Sequence, residues 1–472
     1  MVTVIENARV ISWAGDQFQL LDPGFVAYEG NEITAVGAVY DGEADHRIDA
    51  TGRLLIPGLV NAHLHVTDTL YTKGYLEEDG SSGSQAVPTH YASLYKILPA
   101  VRAATDADAQ VAAAHCAFAE LARTGSTTIV ELGYDFEIGG NGAIGITERV
   151  AEAAGASGLR CYSGPRYRSR YYGADARGGV FYRDYEDAAR TRFEDCVDFC
   201  RGWNGRFDDR LRTMLAPGQI DTCDARLLKD TRLAADEIGV PIQIHAGQSG
   251  SEFARVRETE GRTTIECLMD AGLLGPDFLI GHGQFMTADG SLDSLSPHEV
   301  AALRDSKTTV CHLPWVKARR GGVINSIQKY KDLGIRQALG TDTYPFDLFN
   351  EMQVAATICR IVEQSADAAP ARDVFHMATV GGADALGRPD LGRIAPGCKA
   401  DMVLVRTDTP KATPLYDPFK FLVMAANGED VDRVIVDGNT IVENGEVLTI
   451  DVPNAVRAVN QASQRVWGGL DL

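Results

Sequence analysis

Short apolar runs recur along the middle of the chain, and between them apolar residues return every three or four positions, as in "TDADAQVAAAHCAFAELARTG" and "DARLLKDTRLAADEIG". The runs fit strands buried on both faces, and the three-to-four repeat fits helices with one buried stripe. Their alternation predicts a parallel sheet covered by helices. The strand candidates are "LLIPGLVNAHLHV", "STTIVEL", "LRCYSG", "LRTMLAPGQI", "PIQIHAGQ", "FLIGHGQF", "TTVCHLPW" and "RQALGTDTY", eight in order from Leu54 to Tyr344. Eight predict an α/β fold of the closed (β/α)8 type, whose reactive groups gather at the C-terminal strand ends.

Both ends of the chain read differently. "VIENARVISW" and "GFVAYEGNEITAVGA" at the start, and "KADMVLVRTD" and "VDRVIVDGNTIVENGEV" at the end, are β-like runs with Gly- or Asn-containing turns. Neither end has enough strands to fold alone, so the two are expected to combine into one small β-sandwich. The predicted organisation is 1–56 and 390–472 for the sandwich and 57–389 for the barrel. Two connections are longer than compact domains usually carry. One is "TLYTKGYLEEDGSSGSQAVPTHYASLY" after strand one; the other is "PRYRSRYYGADARGGVFYRDY" after strand three. The second gathers Tyr167, Tyr171, Tyr172, Phe181 and Tyr182, which suits covering an apolar or aromatic substrate as well as it suits a solvated loop.

Composition narrows the partners. A formal charge of -20 disfavours nucleic acid, whose phosphates call for a Lys/Arg excess. No apolar stretch approaches the roughly 20 residues of a membrane helix, and nine cysteines without a framework spacing fit reduced thiols. A cytoplasmic protein acting on a small molecule is expected. Cys196 and Cys200 share a helix face but have no neighbouring His or further Cys, so they read as ordinary buried thiols.

The chemistry starts from "NAHLHV". Alternate strand residues share a face, so His63 and His65 point the same way. On the predicted barrel His63 and His65 end strand one, His245 strand five, His282 strand six and Asp342 strand eight. All five meet at one mouth. Three neutral imidazole nitrogens and a carboxylate suit Zn²⁺ or a similar ion with a position left for water.

"PGLVNAHLHV", "QIHAGQS", "IGHG", "LGTDTYP" and the closing "LGRIAPGCKADMVLV" together resemble the amidohydrolase superfamily, in the branch with cytosine and guanine deaminases and triazine chlorohydrolases. The resemblance spans nearly the whole chain. It implies that His63, His65, His245 and Asp342 hold one divalent ion, first zinc, with Fe, Co or Mn also accepted by such ligands. It also implies that Asp342 moves protons and that His282 polarises the scissile bond. Strand four lacks the lysine that bridges two metals in binuclear relatives, so one ion is expected. A homo-oligomer, dimer or tetramer, is implied as well.

One departure bears on substrate. Deaminases of this branch carry a glutamate three residues after the strand-five histidine, and this chain has Gln248, whose carboxamide cannot shuttle a proton. The expected activity is therefore hydrolysis of a C–N or C–S bond in a small non-peptide carbonyl compound, such as a urea, carbamate, thiocarbamate or amide. The alternative is a deaminase or chlorohydrolase of an aromatic N-heterocycle (triazine, purine or pterin), and the minor alternative is a non-catalytic metal-binding scaffold. Gln248, His312, Trp315, Tyr344, Phe346 and Tyr171 are the substrate-binding candidates. Lys317, Arg319 and Arg320 form a basic run that reads as a solvated loop or an anion contact.

Overall fold

The computed structural model describes residues 1–67, 69–74, 95, 97–135, 143–174, 180–184, 186–322 and 326–470. Its barrel strands are Leu59–Leu64, Ser126–Asp135, Arg160–Tyr167, Leu211–Thr213 continued at Ala216–Pro217, Ile242–Ala246, Phe278–His282, Thr309–His312 and Arg336–Leu339. Strands one to four pair in parallel, as do strands five to eight. Parallel bridges Leu215↔Ile242 and Leu64↔Asp342 join the two sets into a ring. A helix follows each strand: Ala107–Arg123, Ala143–Ala156, Glu186–Trp203, Ala225–Ile238, Gly250–Glu260, Pro297–Asp305, Ile327–Asp332 and Leu348–Glu363. Local chemistry starts several of them. The side chains of Asp106 and Asp224, for example, accept the third-residue N–H of their helices.

The chain ends form one nine-stranded sheet in which Arg53–Pro57 lies between Val2–Ala14 and Met402–Arg406. Strand alternation divides its side chains between two cores. Leu55, Met402 and Leu404 enclose an apolar centre with Ile5, Val10, Val26 and Ile33, while Leu54, Ile56, Val403 and Val405 face the barrel cluster. The first apolar run therefore serves both sheets, and the chain changes sheet at Gly58. A Cβ there would overlap Thr127 of strand two, which is why only glycine fits.

A buried ion triad ties the sheet to the barrel floor. The Arg160 guanidinium donates to Asp401 at 3.0 and 3.2 Å and to Asp437 at 2.8 Å, and its side chain is 1% exposed. Removing one partner of such a group strands the others in a dry interior. Arg160→Met should cost about 3–5 kcal/mol of stability, read as a lower midpoint in urea; an unshifted midpoint would mean that the triad adds nothing.

Two parts of the structure depart from the pattern reading. The chain ends in a helix, Val452–Gly468, rather than in further strand; Trp467 on it donates Nε1–H to the Tyr71 carbonyl at 2.9 Å. The connection after strand three contains an antiparallel ribbon, Arg170–Ala174 with Val180–Asp184. The connection after strand one lies mostly outside the described residues. No helix among the described residues is long and apolar enough to cross a membrane.

Candidate active site

His63 and His65 stand at the end of strand one, and hydrogen bonds on the far side of each ring decide where its lone pair points. His65 Nδ1 lies 2.8 Å from the Leu132 carbonyl, and His245 Nδ1 lies 2.7 Å from the Gly218 carbonyl. A carbonyl only accepts, so both Nδ1 atoms carry the proton and both Nε2 atoms carry the lone pair. His63 Nδ1 meets Gln243 Oε1 at 3.0 Å, and that amide is fixed because its Nε2–H donates to the Ala62 carbonyl at 3.0 Å. The lone pair of His63 is thus on Nε2 too, and this buried nitrogen has no hydrogen-bond partner among the described residues.

These lone pairs converge. His65 Nε2 and His245 Nε2 are 3.1 Å apart, and Asp342 Oδ1 lies 3.4 Å from His65 Nε2 and 3.8 Å from His63 Nε2. One atom from each of His63, His282 and Asp342 also falls within a 4.8 Å cluster. Two lone pairs at 3.1 Å repel unless a cation lies between them, so the donor set fits a divalent ion. Burial, the leading cause at each ring, keeps the imidazoles neutral as ligands require: the pKa of His63 drops to about 4, and those of His65, His245 and His282 fall well below the ordinary value.

The backbone holds this cluster tightly. Asp342 N–H donates to the His63 carbonyl and His65 N–H to the Asp342 carbonyl, both at 2.9 Å. Asp342 and His282 both take positive φ, 61° and 79°, a conformation that costs energy outside glycine. Glycine makes the space: a Cβ on Gly281 would come 2.7 Å from the His63 ring, and one on Gly340 would come 2.6 Å from the His63 carbonyl oxygen. Among the described residues, both ring nitrogens of His282 have no hydrogen-bond partner, which leaves them available to a ligand.

The other candidates scatter. Gln248 is buried, its Oε1 accepting Gln219 Nε2–H at 2.6 Å. Tyr344 is also buried, its ring between Arg319 at 4.4 Å and Lys73 at 5.1 Å. Trp315 is half-buried on the short helix Pro314–Ala318 after strand seven, and its backbone N–H donates to Glu351 at 3.0 Å. Tyr171 is half-buried on the ribbon, edge-on to Phe181. His312 packs against Tyr330, their ring centroids 4.9 Å apart. Phe346 is fully buried, with its N–H on Glu120 of helix Ala107–Arg123.

Three residues near the cluster are missing from the candidates above or misread there. Gln243 orients His63; its signal is a polar residue two before His245 in an apolar strand. Glu252 is buried and accepts the N–H groups of Gly247 (2.6 Å) and Gln248 (3.2 Å), which pins the turn after strand five; the Ser249-to-Glu252 spacing is a helix-start pattern. Lys317 corrects the reading of its run as a solvated loop: it is 8% exposed, and its ammonium donates to the Gln248 carbonyl at 2.5 Å. Arg319, from the same run, donates to the Tyr344 carbonyl and to Thr343 Oγ1.

Known proteins share this framework. Residues 54–441 match the Amidohydrolase family profile. A 5'-deoxyadenosine deaminase of Methanosarcina mazei is 30% identical over 470 residues, covering 98% of each chain. A 5-methylthioadenosine/S-adenosylhomocysteine deaminase of Halobacterium salinarum is 32% identical over 94% of this chain and 95% of the relative. Among solved structures, a zinc-bound adenosine deaminase of Xanthomonas campestris superposes with TM-score 0.82 at 22% identity, over 99% of this chain and 98% of that one. The zinc complex of an atrazine chlorohydrolase from Arthrobacter aurescens superposes with TM-score 0.81 at 21% identity, over 98% and 100%. With the profile match running from the last strand of the N-terminal sheet through the whole barrel, the chain belongs to the amidohydrolase family and is a metal-dependent hydrolase of carbon–nitrogen bonds.

Proposed function

We propose that the chain hydrolyses the exocyclic C–N bond of an aminated aromatic N-heterocycle, releasing ammonia or an amine. The observation that carries the chemistry is the convergence of three Nε2 lone pairs and one carboxylate at the barrel mouth. The substrate class is supported by the deaminase relatives, which favour the heterocycle reading over the urea, carbamate and thiocarbamate reading drawn from Gln248.

His63, His65, His245 and Asp342 would hold the ion, with zinc the first choice. When bound, it supplies the Lewis acidity that lets water attack near neutral pH. Asp342 would take the proton of the attacking water and pass it to the departing nitrogen. His282, whose ring nitrogens have no partner among the described residues, would hydrogen-bond the oxygen being added. Tyr344 and Trp315 would supply aromatic surface. A cytoplasmic location and a homo-oligomer belong to the same proposal; the location is supported by nine free cysteines, and light scattering on the purified protein tests the assembly.

The deciding assay is a panel of 5'-deoxyadenosine, methylthioadenosine and an aminotriazine against a phenylurea and a thiocarbamate, run on protein of measured zinc content. Ammonia or amine released from a heterocycle is the expected result. Turnover confined to the phenylurea or thiocarbamate would reverse the order of the two readings.

A further inference from the structure

Gln248 leaves a chemical gap. A ring nitrogen that receives the electron pair of its C=N bond during attack must also receive a proton, and a carboxamide has none to give. The nearby acid Glu252 is already committed, both of its carboxyl oxygens accepting backbone N–H groups. Two further ionisable groups act on Glu252: the buried Asp221, which accepts the Tyr182 hydroxyl, and the ammonium of Lys317, which the short helix after strand seven brings onto the Gln248 carbonyl.

Its surroundings are unusual for a lysine. The side chain is buried, and among the described residues its only hydrogen bond is to the Gln248 carbonyl. One N–H is thus spent on the residue that stands where the family's glutamate stands, and no described residue takes the other two. The charges acting on it are Arg320 from its own run, Asp342 from the end of strand eight and Glu252 from the helix after strand five. In turn, Lys317 is the strongest electrostatic influence on His282 after burial. The ammonium is therefore held on the Gln248 turn, and its charge acts on His282 and Asp342.

We infer that Lys317 is a catalytic residue, the proton donor to the ring nitrogen of the substrate, in place of the carboxyl that position 248 lacks. This rests on the heterocycle reading of the site. As the water oxygen bonds to the ring carbon, the C=N pair moves onto the ring nitrogen, which takes a proton from Lys317 Nζ and leaves a neutral amine. The exocyclic C–N bond then breaks with its electron pair on the departing nitrogen, which carries away the proton Asp342 took from water. The remaining hydroxyl proton returns to Lys317 as the carbonyl forms, so the enzyme is unchanged. Burial, with Arg320 adding to it, pulls the pKa of Lys317 down to about 8, which suits a donor near neutrality. A donor works only when protonated, so its contribution is full below that value and lost above it.

Two measurements test this. Trace acetic anhydride labelling of the zinc-loaded protein from acid to alkaline pH, read by mass spectrometry of the peptide carrying residue 317, needs no substrate and stands even if the panel finds none. Labelling with a midpoint well below the free-lysine value is expected, because burial and Arg320 disfavour the charged form. A midpoint near the free-lysine value of about 10.4, or no labelling at any pH, overturns the inference, since a donor must be open to the cavity. The second uses the heterocycle turned over in the panel. Lys317→Arg keeps the charge but cannot release its proton, so kcat should fall about 100-fold or more with KM little changed; Lys317→Ala should also lose the alkaline limb of the kcat profile. Wild-type kcat in Lys317→Arg would reduce Lys317 to a fixed charge and end the inference.

Discussion

Replacing His63 with alanine should strip the divalent ion from the purified protein and abolish turnover with it. Among the described histidines, His63 alone belongs to both clusters of converging ligand atoms, the one with His65 and His245 and the one with His282 and Asp342. Its removal also leaves Gln243 Oε1 in a dry pocket with no donor, a cost of about 1–3 kcal/mol. That loss can be separated from loss of the ligand. Gln243→Leu keeps the imidazole but frees its orientation, and loss of such an outer partner costs about 10–100-fold in metal affinity. The expected order of zinc affinity is therefore wild type, then Gln243→Leu, then His63→Ala, measured by competition with a chelator while circular dichroism verifies the fold. Stoichiometric zinc retained by His63→Ala would remove this residue from the ligand set.

The same reasoning explains what the sequence could reveal. Most barrel strands are readable because they sit in apolar runs, and the five converging residues because strand ends of this fold meet at one mouth. What escapes is tertiary. Lys317 looks exposed beside Arg319 and Arg320, since nothing in "VKARRGG" says that its first cation turns inward to the Gln248 carbonyl or that Arg319 bonds Thr343 and Tyr344. Gln243 and Glu252 act through hydrogen bonds to residues at or beside the site, so their roles depend on folded geometry. His312 and Phe346 show the converse. Both follow a strand-end pattern, yet His312, in the last pair of its strand, packs on Tyr330, and Phe346, beyond its strand, is enclosed beside helix Ala107–Arg123. The closing helix is overlooked because the strands just before it set the expectation, although Ala455, Ala462 and Val466 already mark one buried face.

Asp342→Asn should lower kcat/KM by about 10²–10⁴-fold, the usual worth of a positioned proton-transfer group, or about 2.7–5.4 kcal/mol of barrel-mouth chemistry. The substitution nearly preserves volume, and the backbone bonds from Asp342 N–H to His63 and from His65 N–H to the Asp342 carbonyl do not involve the side chain. The fold and the positive φ of residue 342 should survive. Two functions disappear together: the carboxylate charge facing His63 and His65 and the base that accepts the water's proton, because a carboxamide does not ionise. Assaying at saturating zinc isolates the second, since weaker binding is then compensated by mass action. Under those conditions, turnover within about tenfold of wild type would be too small a loss for a general base and would move the proton-transfer role elsewhere in the mouth. If the expected loss remains with zinc bound, Asp342 does more than hold the ion.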